Sequence, residues 1–191
     1  DRIRVRFTEA VDVEAGDLVL HGVNVPNYAI TGVTYDPATF TASWTLAAPI
    51  AADKLFVRVR DTVQSTSGGS LDGEPTAFPS GNGTAGGDFT LRFDVLPGDA
   101  TGDRSVGSAD VFETIRDGFR DATMASYAPL SDFNGDGLVN VVDSVLARNH
   151  AGAALPAGTP SSPVAPDAVV TRTSRVRAAA GVCRRRVRRH R

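Results

Sequence analysis

The sequence predicts an all-β sandwich over residues 1–96, a small all-α unit over residues 97–152 and a basic, disordered tail over residues 153–191. Three observations carry that division. Apolar residues alternate with polar ones through the first half, the period of half-buried strands. The period then changes to that of short helices, each preceded by an Asp- and Gly-rich stretch. After Leu155 the chain turns to Pro, Ala, Ser and Thr and ends in a run of Arg, a composition unable to bury a core.

In the first half, Ile3, Val5 and Phe7 alternate with Arg2, Arg4 and Arg6, and Leu18-Val19-Leu20 forms a second apolar run. A β-rich stretch from Tyr28 to Tyr35 ends at the turn signal Asp36-Pro37. Phe40, Ala42, Trp44 and Leu46 alternate with Thr41, Ser43 and Thr45; Leu55, Val57 and Val59 alternate with Phe56, Arg58 and Arg60. Phe89, Leu91 and Phe93 complete the series before Pro97. Six or seven short strands with turns between them argue for an immunoglobulin-like sandwich. Trp44 shares its face with Phe40 and Leu46, which places it in the core rather than on a sugar-stacking platform. The Pro79–Gly87 segment reads as a flexible loop, and Val95-Leu96-Pro97-Gly98 is too short to hold the two units far apart.

Asp132-Phe133-Asn134-Gly135-Asp136-Gly137-Leu138-Val139-Asn140-Val141-Val142-Asp143 has the spacing of a calcium loop. Asp132, Asn134, Asp136, Asn140 and Asp143 fall at loop positions 1, 3, 5, 9 and 12, with Leu138 offering its carbonyl at position 7 and Gly137 taking the sharp turn at position 6. A second copy lies upstream. There Asp99, Thr101, Asp103, Ser105, Gly107 and Asp110 take positions 1, 3, 5, 7, 9 and 12. Each copy brings three carboxylates towards one point, so the empty loops repel themselves and binding of Ca2+ becomes part of the folding free energy. Two Ca2+ sites are expected, the second tighter. In the first, Thr101 replaces an amide, Gly107 has no side chain, and Arg104 stands where glycine is expected, at about 1–2 kcal/mol for positive φ and with a like charge near the cation. The competing reading is a pair of metal-free turns, which Asp and Gly also favour.

A duplicated loop of this kind, with Asp at position 12 and no entering helix, resembles a type I dockerin. The resemblance rests on Pro97-Gly98-Asp99-Ala100-Thr101-Gly102-Asp103 and Asp132-Phe133-Asn134-Gly135-Asp136-Gly137, each leading into an apolar-periodic helix. It implies a calcium-dependent helical module that docks to a cohesin-type domain on another protein, as on extracellular polysaccharide-degrading enzymes and bacterial surface proteins. Loop positions 10 and 11, which the resemblance assigns to partner choice, are Ser108 and Ala109 in one copy and Val141 and Val142 in the other. The two copies thus present different chemistry. Val111, Phe112, Ile115, Phe119, Val145 and Leu146 are expected to divide between a small core and the partner face. More faintly, Arg6-Phe7-Thr8-Glu9-Ala10-Val11-Asp12 and Leu71-Asp72-Gly73-Glu74 resemble bacterial Ig-like surface-protein modules.

The rest of the sequence narrows the function. The net charge of −2 conceals an acidic body and a basic end: residues 172–191 hold nine Arg and no acid. Acids are 18 Asp to 4 Glu and bases 19 Arg to the single Lys54, a bias we attribute to gene composition. The Arg run could meet anionic envelope polysaccharide; no aromatic interleaves it, so nucleic-acid stacking is not expected. Cys183 is the only cysteine, so no internal disulfide forms. No run of about 18 apolar residues is present to span a membrane. His21, His150 and His190 have no companions at ligand spacing, Asp72 and Glu74 read as a turn, and no G-x-S-x-G or H-E-x-x-H motif occurs. Asn82-Gly83-Thr84 matches a glycosylation sequon only as a short pattern. The expectation is therefore a non-catalytic docking segment of a larger secreted or cell-surface protein, with its export signal upstream of Asp1. The alternative makes it the targeting end of an extracellular glycoside hydrolase, and a third reading gives the sandwich itself a glycan to bind.

Overall fold

A computed structural model describes residues 2–75 and 77–161. Of the tail expected to be disordered over residues 153–191, residues 162–191, with the Arg run, Cys183 and His190, lie outside the described residues, whereas residues 153–160 are held by hydrogen bonds and correct that expectation. The described chain is mostly β-sheet with two helices. Strands β1 (Arg2–Arg6), β2 (Val11–Asp12), β3 (Leu18–Gly22), β4 (Ile30–Asp36), β5 (Thr41–Leu46), β6 (Asp53–Val59), β7 (Gln64–Ser65) and β8 (Phe89–Val95) fill the first half. They form two antiparallel three-stranded sheets, ordered β1-β5-β4 and β3-β6-β8, and a separate β2-β7 ribbon. This three-plus-three arrangement with a ribbon differs from the four-plus-three order of an immunoglobulin constant domain.

The sequence alternation explains the sheets. Leu18 and Leu20 of β3, Ala42, Trp44 and Leu46 of β5, and Leu55, Val57 and Val59 of β6 all point into one shared core. Thr41, Ser43 and Thr45 take the other face of β5. Trp44 is wholly buried, and its Nε1 donates to the Glu14 carbonyl at 3.0 Å, which satisfies the one polar atom of an otherwise apolar side chain. Phe40 does not continue β5: at φ 54° it closes the turn that begins at Asp36.

One acid is central to this half. Asp53, at the start of β6, is fully buried and accepts N–H bonds from Val23, Asn24, Val25 and Lys54 and the Tyr28 hydroxyl at 2.8–3.2 Å. It fastens the β3–β4 loop to β6. Gly22 makes room for it, since a Cβ there would lie 2.1 Å from the Asp53 carboxylate. Burial opposes ionisation of Asp53, but the bonds from Asn24, Tyr28, Val25 and Val23 prevail and hold its pKa below the ordinary value.

The second half departs from the all-α expectation. Helices α1 (Ser108–Arg116) and α2 (Val141–Asn149) each follow a loop, but a two-residue ladder between β9 (Arg120–Asp121) and β10 (Leu138–Val139) joins the stretch that separates them. The reason is local: Asp117 caps α1, Phe119 adopts φ 65°, and its N–H bonds to the Val139 carbonyl instead of continuing a helix. Residues 153–160 then turn back. Ala154 bridges Ser105, Val106 N–H donates to Ala153, and Lys54 Nζ and Arg92 donate to the Gly158 and Pro160 carbonyls at 3.1 and 3.3 Å.

Candidate metal-binding loops and the helix faces beside them

The two Asp-rich loops follow the same backbone path position by position. At position 4, Gly102 and Gly135 have φ 74° and 70°; at position 6, Arg104 and Gly137 have φ 75° and 84°. Arg104 therefore occupies the left-handed region that its place in the sequence demanded, where glycine is at ease and other residues are strained. The position 1 carboxylate bonds both turns from inside: Asp99 accepts from Gly102 and Arg104 N–H at 2.7 and 2.9 Å, Asp132 from Gly135 and Gly137 at 2.8 and 2.9 Å. At position 5, Asp103 accepts from Ser105 N–H and Asp136 from Leu138 N–H.

Position 12 locks each loop to its helix. Asp110 and Asp143 are the third residues of α1 and α2, and each carboxylate reaches back to the N–H at position 9, Gly107 at 2.7 Å and Asn140 at 2.9 Å. The other oxygen turns into the loop, Asp110 accepting from Thr101 N–H and Oγ1, Asp143 from Phe133 and Asn134 N–H. Both carboxylates are nearly solvent-free. Burial would raise the Asp110 pKa, but the Gly107 and Thr101 bonds outweigh it and keep the group below the usual carboxylate range. These acids complement the positive ends of the helices as well as the loop amides.

The copies differ in how their carboxylates converge. One oxygen each from Asp99, Asp103 and Asp110 lies within 4.8 Å of the others, a spacing a single hard cation could bridge. Among the described residues, Asp132, Asp136 and Asp143 do not form such a group. The second loop's polar atoms bond one another instead. Asn134 Nδ2 donates to Asp136 at 2.8 Å, the Asn140 side chain caps α2 through Val142 N–H, and Tyr127 donates its hydroxyl to Asp132 at 2.5 Å. That bond, ahead of burial and the charges of Asp132, Asp136 and Asp143, pushes the Tyr127 hydroxyl up to about 12. Burial opposes ionisation of Asp132, yet the Tyr127 bond and the loop amides leave its pKa lowered.

Of the remaining sequence-named ligands, Thr101 and Ser105 hydroxyls bond Asp110 and Asp103, and Leu138 lies in β10 opposite Asp121. Tyr127 was not foreseen; nothing five residues ahead of a loop marks a tyrosine as its partner. Val106 and Val139, both at loop position 8 and both buried, were also missed. Their signal was present: an apolar residue at the same position in both copies, anchoring each loop to the interior.

The apolar helix residues divide unevenly, with Val111 and Leu146 half-buried and the rest exposed. What the helices bury is polar or small: Asp110 and Thr114 on α1, Asp143 and Ala147 on α2, with Thr114 and Ala147 four residues beyond position 12 in each copy. Thr114 Oγ1 donates to the Asp110 carbonyl. Phe112 (69% exposed), Ile115 (61%), Phe119 (96%) and Val145 (49%) instead face outward. Ser108, Ala109, Val141 and Val142, named for partner choice, are all exposed too. The outer faces of α1 and α2, with Phe119 just beyond α1, thus expose several large apolar side chains.

Asp72 and Glu74, expected in a turn, lie in a stretch without turn structure, from which Asp72 reaches the loop after Ser80. Asp72 accepts from Asn82 and Gly83 N–H, both at 2.8 Å, and these bonds lower its pKa. Among the described residues no helix is long and apolar enough to cross a membrane.

No protein-family model and no curated protein matches the chain. Among solved structures it is similar to the surface-layer protein SbsC, domains 1–6, at 15% identity and TM-score 0.37, over 50% of this chain and 12% of that one. It is also similar to a chain of a type II cohesin-X-dockerin complex from Acetivibrio cellulolyticus, at 16% identity and TM-score 0.29, over 72% of this chain and 81% of that one. The chain thus spans about an eighth of the SbsC structure it matches, and neither superposition is close enough to assign an activity.

Proposed function

We propose that the chain is a non-catalytic, calcium-binding docking segment of a secreted or cell-surface protein, dockerin-like in its second half, with a cohesin-type domain as partner. The observation that carries the reading is the matching of the two loops, position by position, in φ, in amide-to-carboxylate bonding and in the helix that follows each. A turn with no further role has no need for the same three carboxylates twice. Calcium would be held by Asp99, Asp103 and Asp110 with Thr101 and Ser105 in the first loop, and by Asp132, Asn134, Asp136, Leu138, Asn140 and Asp143 in the second. Neutralising the carboxylates fixes the loops, and the loops set α1 and α2, whose exposed apolar faces with Ser108, Ala109, Val141 and Val142 meet the partner. A core drawn from roughly 55 residues is marginal without such a staple.

The test is calorimetric titration of the full chain with calcium, with circular dichroism before and after EGTA. Two saturable sites and a calcium-dependent gain of helix are expected, with Asp132→Ala or Asp143→Ala removing the second site and Asp110→Ala the first. Absence of binding at millimolar calcium would reduce the loops to turns and remove the docking proposal with them.

A further inference from the structure

The first half carries an interaction surface that owes nothing to the loops. Among the described residues, β1 and β8 are both edge strands, one in each sheet, and each has a strand neighbour on one side only. Between them runs a groove of about 660 Å3, walled by Ile3, Val5 and Phe7 on one side and by Phe89, Leu91 and Phe93 on the other. Leu91 remains 40% exposed in the middle of its strand, and Phe78, packed edge-on against Phe89, stands open at the rim. An open edge beside an unfilled apolar slot is what an added strand requires: main-chain bonds along the edge and pockets for alternate side chains.

The chemistry of β1 says which strand. Arg2, Arg4 and Arg6 are exposed, alternate with the groove-facing Ile3 and Val5, and no ion pair among the described residues involves them. The acid nearest on that sheet, Asp36, shares a shallow hollow with Arg4 and Arg6, but its carboxylate is bonded to Ala38 and Thr39. Phe7 N–H bonds to Phe40 on the β5 side, so by alternation the backbone groups of Arg4 and Arg6 face the open edge. β8 is less suited: its outward Arg92 already lies over Phe56 and donates to Pro160.

We propose that the free edge of β1 binds an extended segment of a partner protein in which apolar residues alternate with carboxylates. The apolar set fills the groove and the acidic set lies beside Arg2, Arg4 and Arg6 on the outer face, in the way of opposite-charge cross-strand pairs. The interaction is independent of calcium, so it stands or falls apart from the docking role of the helices.

The probe is a fluorescein-labelled heptapeptide alternating Val and Asp, compared by anisotropy with one alternating Val and Lys, each titrated with the full chain. The Val/Asp peptide should bind about tenfold more tightly, EGTA should change nothing, and the double change Arg4→Glu, Arg6→Glu should reverse the preference at an unaltered melting temperature. Hydrogen exchange at the Arg4 and Arg6 amides should slow when the Val/Asp peptide is added. No binding near 1 mM, or a preference the double change leaves intact, overturns the proposal. So does slow exchange at those amides without peptide: at every protein concentration it would mean that the chain's own residues fill the edge, and only at high concentration that a second copy does.

Discussion

The two halves of this molecule hold themselves together by opposite means. The sheets enclose apolar side chains, with Trp44, Leu20 and Leu55 shut off from water and the fully buried Asp53 as a fastener. The loop-and-helix half encloses carboxylates, with Asp110 and Asp143 buried at the loop-helix junctions while Phe112, Ile115 and Phe119 face out. Hydrophobic burial stabilises the first half without a bound ligand. The second half puts its most buried positions under carboxylates that backbone N–H groups satisfy, and any cation they bind would add to its stability. The difference teaches that the halves depend on different things: the first on an enclosed apolar core, the second on how its buried carboxylates are satisfied.

The sharpest way to break the contrast is to empty each interior in turn. Trp44→Ala should cost about 3–5 kcal/mol, through lost burial and the cavity left behind. Urea melts should show the sandwich transition shifted and calcium binding by the loops unaltered. If loop binding falls with it, the halves are one cooperative unit and the contrast fails. Asp143→Ala should cost less, about 2–3 kcal/mol, because it leaves the N–H groups of Phe133 and Asn140 without their charged acceptor. Its signature is different: loss of α2 helicity by circular dichroism and loss of the second calcium site, with no movement of the sandwich transition.

How much of this contrast the sequence discloses follows from what each half uses. Alternation exposes β1, β5, β6 and β8 and the core place of Trp44, because a strand with one buried face must repeat with period two. Loop register foretells the positive φ of Arg104 and the equivalence of Asp110 with Asp143, because a cation loop fixes its turns by count. What stays hidden depends on partners distant in sequence. Asp53 reads as a polar residue at a strand start, and only the fold brings Val23, Asn24, Val25 and Tyr28 around it. Tyr127 and the returning residues 153–160 are illegible for the same reason. The direction of the helix faces misleads because apolar periodicity says that a helix has a face, and not whether this chain covers it.

Asp53 offers a smaller, pH-dependent test on the sandwich side. Its folded pKa lies below the ordinary 3.8, so the stability it contributes is complete above that value and is lost as the pH falls through the lower folded one. Thermal melts of a calcium-free sample should therefore show the sandwich transition falling below about pH 4. Asp53→Asn should flatten that dependence and start from a lower melting temperature at pH 7. An unchanged acid slope in the variant would mean that other carboxylates govern acid unfolding.

The smallest expected effect compares the two loops directly. Arg104 and Gly137 hold the same position with φ 75° and 84°, but only Gly137 does so without a side chain to strain. Arg104→Gly should therefore stabilise the first loop by up to about 1 kcal/mol, partly offset by the extra freedom glycine gains when unfolded. Electrostatics points the same way, since Arg104 adds a positive charge to a loop in which Asp99, Asp103 and Asp110 converge, and that charge would compete with a cation. Strain relief acts with or without metal, whereas charge removal acts only on binding. Adding Arg104→Lys separates them: it keeps both the charge and the strain, so it should match the wild type in melting and in calcium affinity. If Arg104→Gly raises affinity several-fold at low salt and less at high salt, the charge governs the inequality of the sites. If the gain ignores salt, the backbone does.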